Sequence, residues 1–178
     1  MNLLALALYL LACGMAARAH MTARKTSRAP LERVGWAAVA LGFLLVGIIR
    51  LTGAEDAIRV KVRMAMRASG EYAGRAQLQS TLVSLGLVLG VAIIGWVWWR
   101  WSRRPAGRGE WLTRIGLLAI GGYVPLYALR LISLHNIDKL LYLGPVHPNW
   151  LIDGALAATA CLSAFLYVRL RTGALPPP

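Results

Sequence analysis

Apolar residues fall into five long runs along the chain, separated by short segments rich in arginine, glycine and proline. Because a helix needs about 20 mainly apolar residues to cross a bilayer, each run predicts a membrane span. The predicted spans are residues 2–17, 34–51, 80–99, 112–134 and 150–170. The pattern therefore predicts an all-α fold, a polytopic membrane helix bundle that forms a single transmembrane domain over residues 1–178.

Two of the runs carry further signals. Residues 17–19 (Ala-Arg-Ala) have the small-x-small pattern that signal peptidase cleaves, but nothing basic precedes Leu3, so a retained span is favoured over a signal peptide. In the fourth run, Pro125 follows two glycines and removes a backbone donor, which predicts a kink in that helix.

Small residues at i, i+4 spacing let helices approach each other closely. Gly86 with Gly90 and Gly154 with Ala158 are the clearest pairs. They favour packing within the chain over a dedicated dimer contact, because glycine and alanine are common throughout the sequence.

Composition agrees with a membrane protein. Hydrophobic residues make up 58% of the chain and charged residues 15%, whereas a soluble domain has about 25% charged residues. The net charge of +13 does not indicate nucleic-acid binding, because the basic residues lie between apolar runs. Cys13 and Cys161 lie inside such runs, so neither a disulfide framework nor a zinc site is indicated.

Basic residues are distributed unevenly between the two sides of the predicted bundle. Residues 18–33, 100–114 and the C-terminal tail carry twelve of them against Glu32 and Glu110, whereas the other side carries eight against five acids. The positive-inside rule therefore predicts an N-terminus outside and a C-terminus in the cytoplasm. Tryptophans mark the predicted borders: Trp98, Trp99, Trp101 and Trp111 on the cytoplasmic side, and Trp150 on the outer side.

The first predicted outer segment, residues 54–76, is too polar to span the membrane. At helical spacing, Arg59, Arg63 and Arg67 share one face, which predicts an amphipathic helix along the bilayer surface. At period two the same residues would suit a strand. The helix is favoured, because the rest of the chain offers no partner strand. We expect its arginines to face anionic headgroups or an acidic partner protein.

The second predicted outer segment runs from Arg130 to Asp153 and holds most of the candidate chemistry. Asp138 follows His135 by three residues, so the two side chains can meet on a helix. Asp153 lies near the positive end of the last helix and can pair with Arg130 or Arg50. With Arg75 from the other outer segment, these residues form a candidate polar network at the outer face: Arg75, Arg130, His135, Asp138 and Asp153.

Several chemistries are open to that network. Ser133, His135 and Asp138 are the residue types of a nucleophilic triad, but their spacing on one helix does not give the required line of groups. His135 and His147 could bind a metal with a carboxylate, although the spacing fits no known metal motif. His135 could also ligate a haem or chlorin cofactor. The favoured interpretation is a network whose charges neutralise one another between helix ends.

Two short motifs resemble a family of small, uncharacterised bacterial inner-membrane proteins. Residues 70–79 (GEYAGRAQLQ) resemble the family's G-W-Y-x-x-R-x-x-x-Q stretch, although Glu71 stands where the family has tryptophan. Residues 130–138 resemble its R-x-x-S-x-H-x-x-D run, and Asn149-Trp150 opens the next helix as in the family. Thr52-Gly53 stands where the family has an acid after its second span. The resemblance implies a bacterial inner membrane and no known activity.

Two functions from different classes follow from the sequence. The favoured one is a non-catalytic subunit or assembly factor of a larger membrane complex, with lipids and other membrane proteins as partners and no nucleic acid. The alternative is a site of its own at the outer face, which binds an anionic lipid, a metal or a haem-type cofactor or acts on a lipid-linked substrate. Small-solute transport is a further alternative.

Overall fold

The computed structural model describes residues 3–26, 29–54, 57, 60–61, 64, 75–103, 105–131 and 148–173. For residues 75–84, 86–87, 93, 128–131 and 148–149 it describes the backbone alone. Every regular element in these residues is an α-helix. The helices are α1 (Leu3–Thr26), α2 (Pro30–Thr52), α3 (Arg75–Ser102), α4 (Arg108–Gly121), α5 (Tyr123–Leu131) and α6 (Pro148–Arg171).

Four of these helices pack around one core. Helix α1 contacts α2 and α6, and α4 contacts the same two helices from the other side. The cyclic order in the bundle is therefore α1, α2, α4, α6. Helix α5 continues from α4, and α3 packs against α5 on the outside of the bundle. The predicted all-α fold is confirmed for the part of the chain that the structure describes.

The helix ends follow from local sequence. Helix α2 begins with Pro30, whose fixed φ suits a first helical position and whose missing N–H costs nothing there. It ends at Gly53, which adopts the left-handed conformation with φ 62° and donates its N–H to the carbonyl of Ile49. Helix α6 likewise begins with Pro148, and Gly173 with φ 74° follows its end. Helix α1 ends at Thr26, so only residues 27–29 connect it to α2. Because this connection is short, the two helices pack as antiparallel neighbours.

The predicted fourth span is divided in the structure. Helix α4 ends at Gly121 and α5 begins at Tyr123, so the interruption falls at Gly122, within one turn of Pro125. The proline has no N–H to donate to the carbonyl one turn earlier, which is the physical reason for a break here. The prediction of a disturbed helix is confirmed, and the disturbance divides this part of the chain into two helices; residues 132–134 of the predicted span lie outside the described residues.

The core is made of small residues and aromatic rings. Helix α1 places four alanines on one buried face: Ala12, Ala16, Ala19 and Ala23. Helix α6 adds Ala157, Ala160 and Ala164. Alanine lets helix backbones approach closely, and α1 packs against α2 and α6. The predicted pair Gly154 and Ala158 is not part of this core, because Ala158 is exposed and a Cβ at Gly154 would meet no described atom. Gly90 does face a neighbour, Pro125 of α5.

Large aliphatic side chains lie on the outside of the bundle. Leu3 and Leu4 are both 70% exposed, and Val34, Leu41 and Val124 are also exposed. Within the described residues, three helices are long and apolar enough to cross a membrane: Leu3–Thr26, Pro30–Thr52 and Trp150–Arg171. An apolar exterior around a core of alanine and buried polar groups is typical of a bundle that lies in lipid.

Seven residues of the predicted outer amphipathic segment lie in the described part of the chain: Ala54, Ala57, Val60, Lys61, Met64, and Arg75 and Ala76 at the start of α3. All seven have helical backbone, and the N–H of Ala57 donates to the carbonyl of Gly53. Helical backbone at these positions agrees with the helix rather than the strand alternative. Val60 and Met64 are exposed, at 46% and 64%. Arg59, Arg63 and Arg67 fall outside the described residues.

Candidate functional site

Asp153 is the one member of the predicted outer-face network whose side chain the structure describes. His135, Asp138 and His147 lie outside the described residues, as does Ser133. For Arg75 and Arg130 only the backbone is described, at the start of α3 and near the end of α5. The candidate haem or metal ligands and most of the network therefore remain predictions.

Asp153 lies in the first turns of α6 and is 4% exposed. The Tyr9 hydroxyl of α1 donates to its carboxyl group and lies 2.7 and 2.6 Å from Oδ1 and Oδ2. The Tyr123 hydroxyl of α5 donates to the Asp153 backbone carbonyl at 2.9 Å. This cluster, which we call the Asp153 cluster (Tyr9, Tyr123, Asp153), ties three helices together. Arg50 of α2 interacts electrostatically with Tyr9 and so lies near the same end of the bundle.

Aromatic rings surround these polar groups. The Phe43 ring from α2 lies 5.5 Å from the Tyr123 ring at an angle of 80°, and the Tyr9 and Tyr123 rings lie 6.0 Å apart at 81°. Both are edge-to-face geometries that aromatic pairs favour. The rings exclude solvent from one side of Asp153, so its hydrogen bonds form in an apolar environment.

A partly open cleft of about 270 Å³ lies beside the Asp153 cluster, between the first turns of α1 and α6. Its polar groups come from Tyr9 and Asp153, and Trp150 and the aliphatic side chains of α1 complete the lining. The volume is slightly below the roughly 300–1,000 Å³ of ordinary ligand pockets. The cleft can accept a small group, with one carboxyl and one hydroxyl in its wall.

A second buried carboxyl group lies at the opposite end of the bundle. Glu32, in the first turn of α2, is 2% exposed. Nη2 of Arg171 donates to both of its carboxylate oxygens at 2.6 Å, and the Tyr167 hydroxyl donates to Oε2 at 2.6 Å. We call this the Glu32 cluster (Glu32, Tyr167, Arg171). It joins the start of α2 to the end of α6.

From the sequence, Glu32 was expected in the loop before the second span and Arg171 in the tail, whereas the structure places Glu32 in the first turn of α2 and Arg171 in the last turn of α6. Helix α2 begins at Pro30, which draws Glu32 into the bundle. Gly109 of α4 allows the contact, because a Cβ there would lie 2.6 Å from Oε1 of Glu32 and 2.9 Å from Nη2 of Arg171. No sequence signal links residues 32 and 171, since only the packing of α2, α4 and α6 brings them together.

Arg114 is a third ionisable residue that the structure buries. Its side chain is 3% exposed and lies 3.5 Å from the carboxylate of Glu110, one turn earlier on α4. Nη1 donates to the carbonyl of Trp101 at 2.8 Å, so the arginine holds the end of α3 against the start of α4. Its Nε is buried and makes no hydrogen bond within the described part of the chain.

The described acids are arranged for helix association. Glu32, Glu110 and Asp153 are the acidic residues with described side chains, and each one pairs with a tyrosine or an arginine. Among the described residues, no group of three or more His, Cys, Asp or Glu side chains is placed to hold a metal ion. What this arrangement can do chemically is to hold helices in register inside an apolar medium.

Comparisons with known proteins identify no relative. No protein family, no curated protein and no solved structure matches the chain. The resemblance to small bacterial inner-membrane proteins therefore rests on the two short motifs alone.

Proposed function

We propose that this chain is an integral membrane protein that acts as a non-catalytic subunit or assembly factor of a larger membrane complex. In this proposal it has five spans, with α4 and α5 together forming the fourth, and the outer amphipathic segment at residues 54–76 meets the partner. The observation that carries the proposal is that the two buried carboxyl groups accept hydrogen bonds from other helices of the bundle. Asp153 and Glu32 each bind side chains of other helices through both carboxyl oxygens.

A buried acid that serves catalysis or transport needs an oxygen available to a substrate or a proton. In the bilayer, ionisable residues are costly and mark functional positions unless other groups satisfy them. The partners of Asp153 and Glu32 come from within the bundle, which supports a bracing role for both residues. Hydrogen bonds of this kind stabilise the packing of the bundle. A stable bundle with its buried acids bonded in this way suits a structural subunit of a complex.

The surface of the predicted outer segment supports association with a partner in the same membrane. The outer segment combines exposed Val60 and Met64 with the basic positions Arg59, Arg63 and Arg67. An exposed apolar and basic face suits an acidic membrane protein or anionic headgroups. Because the charge on the other side is accounted for by insertion, this segment is the surface where a partner would bind.

The placement in the cell is part of the proposal. The excess of arginine and lysine at the Glu32 end supports a cytoplasmic C-terminus and an outer N-terminus. The Asp153 cluster would then lie near the outer face. The motif resemblance favours the inner membrane of a bacterium.

Purification from native cells tests the subunit proposal. A tagged chain is extracted in mild detergent, and the proteins that co-purify are quantified by mass spectrometry. We expect one or more membrane proteins at stoichiometric amounts. Reversing the charge of the outer face with Arg59→Glu, Arg63→Glu and Arg67→Glu should remove them, whereas His135→Ala with Asp138→Ala should not.

The matched control reverses two exposed basic residues at the other end, with Arg24→Glu and Lys25→Glu. If this control releases the same partners, charge alone is responsible and the outer segment is not the docking surface. Retention of the partners by the outer-face variant would also contradict the proposal.

A second candidate is a ligand site of its own at the outer face. It is favoured by the cleft of about 270 Å³ beside Asp153, whose wall contains a hydroxyl and a carboxyl group in an otherwise apolar lining. A small cationic or hydrogen-bonding ligand, or a cofactor ligated by His135, would suit this position. The visible spectrum and metal content of the purified protein test it directly. A Soret band or bound metal that disappears in His135→Ala would establish this candidate in place of the first.

A further inference from the structure

An apolar groove of about 240 Å³ runs between α3 and the α4–α5 pair. Helix α3 lines it with Gly90, Ile94, Val97 and Trp101, which recur at helical spacing and so share one face. Leu118 and Pro125 lie on the opposite wall. The break at Gly122 and the absence of side chains at Gly90 and Gly121 leave space that the two walls do not fill.

The groove leads to a strongly basic end. Residues 100–114 contain five arginines and one acid, Glu110, so they carry a net charge of +4. Arg100, Arg103 and Arg108 are exposed, and the Arg103 guanidinium lies 4.0 Å from the centre of the Trp99 ring. Arg114 adds a buried guanidinium that lies 5.8 Å from the Trp101 ring. The apolar groove therefore ends beside a group of arginines and tryptophans.

The dimensions of the groove match one leaflet. From Gly90 to Trp101, α3 rises roughly 16 Å, at about 1.5 Å per residue. Half of the hydrocarbon core measures about 15 Å. Trp98, Trp99 and Trp111 lie at the basic end, and tryptophan is enriched at the level of the lipid headgroups. The groove thus extends from the membrane interface towards the middle of the bilayer.

We propose that this groove binds one acyl chain of an anionic phospholipid, whose phosphate lies against Arg100, Arg103 and Arg108. The acyl chain fills the space between Val97 and Leu118, and the headgroup neutralises part of the local charge of +4. The bound lipid adds to the contacts that hold α3 against the bundle, which are those with α5 and with the start of α4. The site is distinct from the outer segment of the proposed function and rests only on the membrane placement of α3, α4 and α5.

Native mass spectrometry of the whole protein in detergent tests the site. Phosphatidylglycerol and phosphatidylcholine with identical acyl chains are titrated separately, and the occupancy of the first lipid adduct is compared. The wild type is expected to prefer phosphatidylglycerol. Because each arginine near the surface contributes about fivefold to anionic lipid binding, the Arg103→Gln, Arg108→Gln double variant should lose about 25-fold in preference.

Matched variants separate the groove from general effects. Val97→Trp fills the groove and should abolish the preferred adduct, whereas Val91→Trp places the same side chain on the exposed face of α3 and should leave it intact. Arg18→Gln with Arg24→Gln removes equal charge from exposed positions of α1 and should also leave it intact. Both glutamine variants alter exposed residues, so they test the site even where Val97→Trp fails to fold.

Equal binding of the two lipids by the wild type would overturn the site. So would an unchanged preference in the Arg103→Gln, Arg108→Gln variant, or an equal loss in Val91→Trp. A topology assay showing that α3 lies outside the membrane would refute the membrane placement itself. Equal binding of the two lipids by the wild type, with α3 shown to lie in the membrane, would refute the lipid site alone.

Discussion

At the scale of residues, the two buried carboxyl groups explain how a basic, apolar chain keeps ionisable groups inside its core. Asp153 accepts from one tyrosine hydroxyl, whereas Glu32 accepts from an arginine and a tyrosine. Each buried carboxyl group therefore has a hydrogen-bond donor from another helix, and a buried carboxyl group without one would be costly in a low-dielectric medium. The partners differ because Arg171 lies at a helix end, where a cation can reach both a buried acid and water.

The Glu32 cluster predicts a strong coupling between two residues. Arg171→Gln leaves a 2% exposed carboxylate without its cation, and we expect it to destabilise the protein by roughly 2–3 kcal/mol. This is less than the ~3–5 kcal/mol of a fully buried pair, because Arg171 is 31% exposed. Adding Glu32→Gln should restore most of the loss. Unfolding in mixed detergent, measured for the complete double-mutant cycle, gives the coupling free energy.

Arg169→Gln is the control for that cycle, since it removes an exposed arginine two residues earlier. It should change stability by less than about 0.5 kcal/mol. Additive losses in the double variant would contradict the ion pair.

The Asp153 cluster predicts a graded response to removal of hydroxyl groups. Tyr9→Phe removes a donor from a buried carboxyl group and should cost about 1–2 kcal/mol. Tyr123→Phe removes a bond to a backbone carbonyl and should cost less, because carboxylate acceptors form the stronger bonds. Thermal unfolding of the two variants in the same detergent compares them. A larger loss for Tyr123→Phe would contradict the assigned order.

At the scale of elements, the α2–α4 contact depends on glycine. A Cβ at Gly35 of α2 would lie 2.5 Å from Cγ2 of Thr113, and one at Gly116 of α4 would lie 2.9 Å from the Trp36 ring. The helices therefore approach more closely than alanine would allow. The close approach places Gly109 against the Glu32 cluster, so the packing of two helices determines the geometry of the polar residues at their ends.

This contact predicts opposite outcomes for two glycines of the same helix. Gly35→Ala should destabilise the bundle by about 1–3 kcal/mol, because the added methyl group must displace α4. Gly47→Ala meets no described atom within 4 Å and should be neutral or stabilise by up to about 1 kcal/mol, through the higher helix propensity of alanine. Denaturation midpoints of the two variants provide the test. Equal effects would show that α2 and α4 are not in close contact at Gly35.

At the scale of the whole molecule, the two clusters lie near opposite ends of one bundle. Helix α6 rises roughly 27 Å between Asp153 and Arg171, close to the ~30 Å of a hydrocarbon core. In the proposed membrane placement, each cluster would therefore lie near the depth where the apolar interior gives way to headgroups. Polar groups at these depths can tie helices together without crossing the centre of the bilayer.

The proposed orientation predicts the activity of reporter fusions. A reporter that is active only outside the cytoplasm should be silent when fused after Pro178 and active when inserted after Gly70. The expectation follows from the excess of basic residues at the Glu32 end. A cytoplasmic reporter at the same two positions is the control and should give the reverse result. Activity of the first reporter after Pro178 would invert the orientation.

Sequence patterns were sufficient for the helical class, the three long apolar helices and the disturbance near Pro125. Each of these depends on residues within one or two turns, so local composition contains the information. A kink near Pro125 was predicted in the fourth span but not its division into two helices, because hydropathy averages over a window and does not register the break at Gly122. The helix limits also differed, since α1 extends to Thr26 rather than ending at residue 17.

The candidate site was also predictable only in part. Sequence identified Asp153 as a polar residue one turn inside an apolar helix, but its partner Tyr9 lies 144 positions away. It missed the Glu32 cluster altogether, because Glu32 and Arg171 are 139 positions apart and each has the pattern of an ordinary loop or tail charge. The sequence by itself determined which segments prefer lipid. Only the tertiary structure decided which buried groups meet, because helix order and rotation follow from the close packing of alanine and glycine faces.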